Sequence, residues 1–232
     1  MIVALDVHSM SDVSALVNTL GESVSYYKVG MELFYRVGAE VLTYLHGQEK
    51  SIFLDLKLHD IPNTVAEGLC SLMNLHADML NVHASGGYKM MRTAVERVRE
   101  KAAQDGIPAP KLIAVTILTS IGGDDWKEMG FSQEIREQVI RFATLAEKAG
   151  MDGVVASPQE AAAIREACGP NFLIVTPGIR PAGADINDQS RIATPSAALR
   201  NGATHLVVGR PIRAAKDPKA AAEAIIREME RV

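Results

Sequence analysis

Asp55, Lys57 and Asp60 crowd one short stretch, Asp55-Leu56-Lys57-Leu58-His59-Asp60, directly after the apolar run Ser51-Ile52-Phe53-Leu54. In a strand successive side chains alternate between two faces, so Phe53, Asp55 and Lys57 share one face and Ile52, Leu54 and Leu56 the other. Asp60 follows Lys57 by three residues, where Ile61-Pro62 opens a new element. Two carboxylates bracketing an ammonium at the end of an apolar strand are costly unless paired. Such clusters serve as structural ion pairs or as sites where charge is moved during a reaction.

The elements that would position this stretch recur along the whole chain. Apolar runs occur at Ile2–Val7, Ser25–Val29, Ser51–Leu56, Asp78–His83, Lys111–Leu118, Gly153–Ala156, Phe172–Thr176 and His205–Val208. Between them lie segments with apolar residues three and four apart: Ser11–Leu20, Glu32–Leu45, Thr64–Asn74, Lys89–Ala103, Gln133–Ala149, Pro158–Ala167, Pro195–Arg200 and Pro218–Arg231. Strands that alternate with helices, with no hairpin spacing, imply a parallel sheet. Right-handed crossovers close eight such units into a single (β/α)8 TIM barrel, expected to form one domain over residues 1–232. No GxGxxG follows the first strand, which disfavours an open dinucleotide-binding sheet.

Chemistry in such barrels sits at the carboxyl ends of the strands. Those ends carry Asp6, Lys28, the Asp55–Asp60 stretch, Asn81-Val82-His83, Thr116 to Ser120, Thr176-Pro177-Gly178-Ile179-Arg180 and Gly209-Arg210. The loops after strands seven and eight are the usual phosphate site, and they hold Arg180, Gln189, Arg191, Gly209 and Arg210. Glycine lets main-chain N–H groups approach a phosphate, and arginine grips it through parallel hydrogen bonds.

Composition narrows the partners. Over 232 residues, 47% are hydrophobic and the net charge is −4, which gives no electrostatic basis for nucleic acid or an anionic membrane surface as partner. Cys70 and Cys168 have no CxxC partner and read as free thiols in a reducing compartment. The first residues lack a basic leader, and the uncharged run Leu112 to Gly123 is too short for a bilayer, so a cytoplasmic protein is expected. The histidines show no metal-ligand spacing. His59 is a weaker candidate base than Lys57, and Asp124-Asp125 reads as a solvated turn.

Taken together, these residues resemble the orotidine 5′-phosphate decarboxylase family over nearly the whole chain. Asp55-x-Lys57-x-x-Asp60-Ile61-Pro62-Asn63-Thr64 is similar to that family's DxKxxDIPNT signature. Val175 to Pro181, Asp188-Gln189 and Val208 to Ile212 are similar to its phosphate segment, and Asp6, Lys28 and Thr119 fall where its pattern has them. The resemblance implies decarboxylation of orotidine 5′-monophosphate to uridine 5′-monophosphate, with no metal and no organic cofactor, by a homodimer with shared sites. It implies a Lys–Asp–Lys–Asp array of Lys28, Asp55, Lys57 and a second copy's Asp60, with Lys57 as proton donor. Asp6, Lys28, Asp60 and Thr64 would hold ribose hydroxyls and Thr119 the pyrimidine. Gln189 would bridge base and phosphate, Gly209 and Arg210 would bind the phosphate, and Arg180 would position the loop or touch the ligand. The nearest alternative is a Mg-dependent sugar-phosphate decarboxylase of the same barrel group, which carries an acid where this chain has Lys28. A silent phosphate-binding barrel is the alternative outside enzymology.

Overall fold

The structure is a computed structural model and describes residues 1–181 and 193–232. Its strands are β1 (Ile2–Ala4), β2 (Tyr26–Gly30), β3 (Ser51–Leu58), β4 (Met79–His83), β5 (Lys111–Val115), β6 (Gly153–Val155), β7 (Leu173–Thr176) and β8 (His205–Val208). Each pairs in parallel with the next, and β1 also pairs with β8, so the sheet closes into the expected barrel.

The helices among the described residues are α1 (Met10–Leu20), α2 (Met31–Val37), α3 (Glu40–Gly47), α4 (Pro62–Met73), α5 (Gly87–Asp105), α6 (Gly123–Glu128), α7 (Ile135–Ala149), α8 (Ala161–Cys168), α9 (Pro195–Arg200), α10 (Arg210–Arg213) and α11 (Pro218–Met229). None is long and apolar enough to cross a membrane. Helix starts are chemically marked. Ser9 accepts from the Asp12 N–H, Thr194 from Ala197 and Asp217 from Ala220, while Pro62, Pro195 and Pro218 stand at first helical positions, where a missing N–H costs nothing.

Two expectations are corrected. The helical pattern over Glu32–Leu45 is two helices, because Gly38 adopts φ 66° and ends α2. Asp124-Asp125 is not a simple turn: both acids lie in the first turn of α6, where negative charge favours the helix, and Trp126 anchors that helix in the core.

Alternation along the strands builds two cores. Outward residues such as Val3, Tyr27, Ile52, Leu54, Leu80 and Val82 pack against the helices. Inward residues Ile2, Ala4, Phe53, Met79, Ile113, Val175 and Val207 fill the barrel. The register sets Lys28 beside Phe53 and Gly30 beside Asp55, which places β2 and β3 polar groups on the interior face just above this apolar plug. At the opposite rim, side chains just before the even strands take over main-chain pairing. Asp78 accepts from the Ile52 N–H, Asp152 from Leu112 and Thr204 from Ile174.

Gly153 stands opposite Leu173 in the β6–β7 ladder, and a Cβ there would collide with the Leu173 carbonyl oxygen and Cβ. Backbone cannot yield as a side-chain tip can. Gly153→Ala is therefore expected to lower stability by about 2–3 kcal/mol, read as a lower urea midpoint with an unchanged slope. An unchanged midpoint would contradict this close approach.

Candidate active site

Asp55 sits at the carboxyl half of β3 and is 7% exposed. Its Oδ1 lies 2.7 Å from the Lys57 Nζ, and its Oδ2 lies 3.2 Å from the Lys28 Nζ. Lys28 reaches on to Asp6, 3.5 Å away. Within one chain the order is thus Asp6–Lys28–Asp55–Lys57, an alternating row across the ends of β1, β2 and β3. The Asn81 carboxamide on β4 donates to the Asp55 Oδ1 at 2.7 Å. Two glycines make room for this row: a Cβ at Gly30 would stand 3.1 Å from the Lys28 Nζ, and one at Gly209 would stand 3.2 Å from the Asp6 Oδ2.

Electrostatics follow from burial and pairing. Burial alone would push the Asp55 carboxyl up. The charges of Lys28 and Lys57, with hydrogen bonds from Lys57 and Asn81, outweigh it and hold Asp55 below its ordinary value. For Lys28, burial pulls downward, and the charges and hydrogen bonds of Asp55 and Asp6 outweigh it and hold the ammonium above its ordinary value. His83, whose ring lies 5.5 Å from that of His59, is pushed down by burial and then by the charges of His59 and Lys57. It is therefore poised to be neutral.

Lys28, Asp55 and Lys57 line a cavity of about 150 Å³ together with Phe53, Thr119 and Pro177. Its walls join a charged edge to apolar faces. A larger hollow of about 650 Å³, flanked by Arg200, Arg227 and Arg231, opens broadly on the outer surface between α9 and α11. It lacks the buried charge row, which makes the smaller cavity the candidate site.

Past β7, Arg180 is buried, donates to the Ile179 carbonyl, and has its main-chain N–H tied to Ala193. Burial and then the charge of Arg210 pull the Arg180 guanidinium below its ordinary value. Arg180 and Arg210 thus stand at the neighbouring mouths of β7 and β8, near enough for their charges to act on each other. Gly209 is the N-cap of α10 beside Arg210. Gln189 and Arg191 lie outside the described residues.

The structure thus brings Asp6, Lys28, Asp55, Lys57 and Thr119 to one cavity end, with Arg180, Gly209 and Arg210 at the neighbouring strand mouths. Asp60 and Thr64 are separate. Both are exposed, Asp60 accepts from the Ile61 N–H at 2.6 Å, and among the described residues it pairs with no cation. Asn81 was visible as part of the strand-four end, but with no assigned role. Its one sequence signal is a carboxamide in the run Met79-Leu80-Asn81-Val82 that is otherwise apolar.

Residues 1–225 match the model of the "Orotidine 5'-phosphate decarboxylase / HUMPS family". The chain belongs to that family. It is 52% identical over 233 residues to an orotidine 5′-phosphate decarboxylase of Moorella thermoacetica, spanning 100% of this chain and 92% of the relative. It is 48% identical over 229 residues to that of Geobacter sulfurreducens, spanning 99% and 95%. The crystal structure of the Lactobacillus acidophilus enzyme superposes with a TM-score of 0.86 at 43% identity, covering 99% of this chain and 98% of that one.

Because the fold holds Asp55 below 3.8, its stabilisation is complete above that pH and drains as the pH falls through and below it. The Lys28 contribution runs oppositely, complete below 10.5 and lost as the pH rises beyond the folded value. Asp55→Asn is expected to cost about 3 kcal/mol at neutral pH, because it strips a buried partner from two ammonium groups. Urea titrations from pH 7 to pH 3 should show that deficit steady, then shrinking at the acid end. A deficit that grows toward acid would contradict the assignment.

Proposed function

We propose that this chain, acting as a single domain over residues 1–232, decarboxylates orotidine 5′-monophosphate to uridine 5′-monophosphate, the last step of pyrimidine nucleotide synthesis in the cytoplasm. The observation that carries the proposal is the Asp55 carboxylate held between Lys28 and Lys57 at the edge of the cavity. The C6–carboxylate bond breaks, carbon dioxide leaves neutral, and the electron pair stays on C6. Lys57 stabilises that charge and donates a proton to C6, and solvent then restores the ammonium. Asp55 crowds the substrate carboxylate, a repulsion of about 4 kcal/mol for unit charges 4 Å apart at an effective dielectric near 20, and it vanishes as carbon dioxide departs.

Around this centre, Asp6 and Lys28 hold ribose hydroxyls and Thr119 meets the pyrimidine. Gly209 and Arg210 take the phosphate beside Arg180, and Gln189 bridges phosphate and base. Binding energy from the remote phosphate supports closure over the reacting ring. Asp60 and Thr64 act across a homodimer interface, where a second copy's site receives them and Asp60 completes the Lys–Asp–Lys–Asp array. Their exposure, with Ile61 between them 67% exposed, supports this. The reaction needs no metal and no cofactor in this reading: the Lys28 ammonium already lies between Asp6 and Asp55, and its charge opposes a cation there. Neither nucleic acid nor a membrane takes part.

Mixing the protein with orotidine 5′-monophosphate in EDTA should convert the substrate spectrum to that of uridine 5′-monophosphate. Lys57→Ala should lower kcat by about 10³-fold or more and keep most of the affinity for uridine 5′-monophosphate. Turnover close to that of the unsubstituted chain would remove Lys57 from the mechanism. Turnover that EDTA abolishes would favour the magnesium-dependent sugar-phosphate class.

A further inference from the structure

Lys57 departs from strand geometry. Its φ is 53°, in the left-handed region that a lysine disfavours. The β3–β4 ladder pairs Leu54 with Leu80 and then Leu58 with Val82, so Asp55, Leu56 and Lys57 face the single residue Asn81. This bulge takes the Lys57 main chain out of the regular ladder and leaves its N–H in need of an acceptor. The Asn81 side chain supplies it: its Oδ1 accepts from the Lys57 N–H at 2.8 Å, and its Nδ2 donates to the Asp55 Oδ1 at 2.7 Å. Asn81 is 1% exposed. A main-chain N–H can only donate and an ionised carboxylate can only accept, so the carboxamide has one orientation that satisfies both.

We infer that Asn81 is a positioning residue for decarboxylation, one carboxamide that holds the Lys57 backbone in its left-handed turn and orients the Asp55 carboxylate toward the Lys57 ammonium. The inference rests on the decarboxylase reading and deepens it. The Asp55 carboxylate is pulled from two sides by flexible ammonium groups, and the Asn81 amide is the neutral contact that fixes its rotation. It is also the contact that ties the position of Asp55 to the backbone from which Lys57 projects. An ionised carboxyl in its place could accept from Lys57 but could not donate to Asp55. A protonated one could do both.

The test uses the full chain with three proteins: unsubstituted, Asn81→Ala and Asn81→Asp. Competent sites are counted by the stoichiometry of uridine 5′-monophosphate binding, so a misfolded fraction does not enter kcat. Asn81→Ala should lower kcat per site by about 10²-fold, the cost of reacting groups held about 1 Å out of place, with KM changed far less, because the phosphate end is untouched. Asn81→Asp should approach the unsubstituted kcat at low pH and fall away from it as the pH rises, because two carboxyl groups in contact must share one proton to keep this geometry. A purely structural role would move the count of competent sites and leave kcat per site and its pH profile unchanged. An unaltered kcat per site in Asn81→Ala, or an Asn81→Asp kcat as low as that of Asn81→Ala at every pH, would overturn the assignment. Absence of turnover in the unsubstituted chain would instead overturn the decarboxylase reading, and this assignment with it.

Discussion

One carboxylate shared by two ammonium groups sets the terms for the rest of this molecule. Asp55 is buried, and a buried charge is tolerated only where opposite charges and hydrogen bonds surround it. Here Lys28, Lys57 and Asn81 provide them from β2, β3 and β4. Each must arrive at the same height on the interior face, which the β2–β3 register arranges by setting Gly30 beside Asp55. The missing side chains of Gly30 and Gly209 then leave room for the Lys28 and Asp6 tips. The cluster therefore depends on the closed barrel, and substitution of one member alters the charge balance of all.

The barrel separates the two demands made on each strand. Below the charge row, Ile2, Phe53, Met79, Ile113, Val175 and Val207 fill the interior and supply a dry floor. Outside, a larger apolar layer joins strands to helices. At the floor's rim, Asp78, Asp152 and Thr204 take main-chain N–H groups from the neighbouring strand. Asn81 uses the same device near the carboxyl end of the strands, where the N–H it takes belongs to Lys57. A fold that relies on side chains to finish its ladders at one end can use a side chain to bend a ladder at the other.

Much of this was legible in the sequence because it depends on period and on charge. The alternation Phe53-Leu54-Asp55 puts Phe53 and Asp55 on one face, and the closeness of Asp55 and Lys57 in sequence points to their ion pair, whereas Asp60 stands apart from it. Strand alternation placed Lys57 on the face of Asp55, and the contact is present, yet the backbone between them is bulged rather than regular. That bulge leaves no mark in the pattern, because Leu56 and Leu58 keep the apolar period through it. Asn81 was unreadable for a related reason: one carboxamide in a strand has no spacing to interpret, and its partners come from another strand. The break at Gly38 and the short helix over Asp124-Asp125 were missed where a local stop or a single buried Trp126 outweighed the surrounding pattern.

The most direct measurement is a crystal structure of the chain with uridine 5′-monophosphate bound. C6 should lie beside the Lys57 Nζ with Asp55 facing the position vacated by the carboxylate, and the phosphate should lie against the Gly209 N–H and Arg210. A pyrimidine seated away from Lys57, or a phosphate held in the arginine-lined hollow between α9 and α11, would contradict the Asp55-centred cluster as the place of reaction.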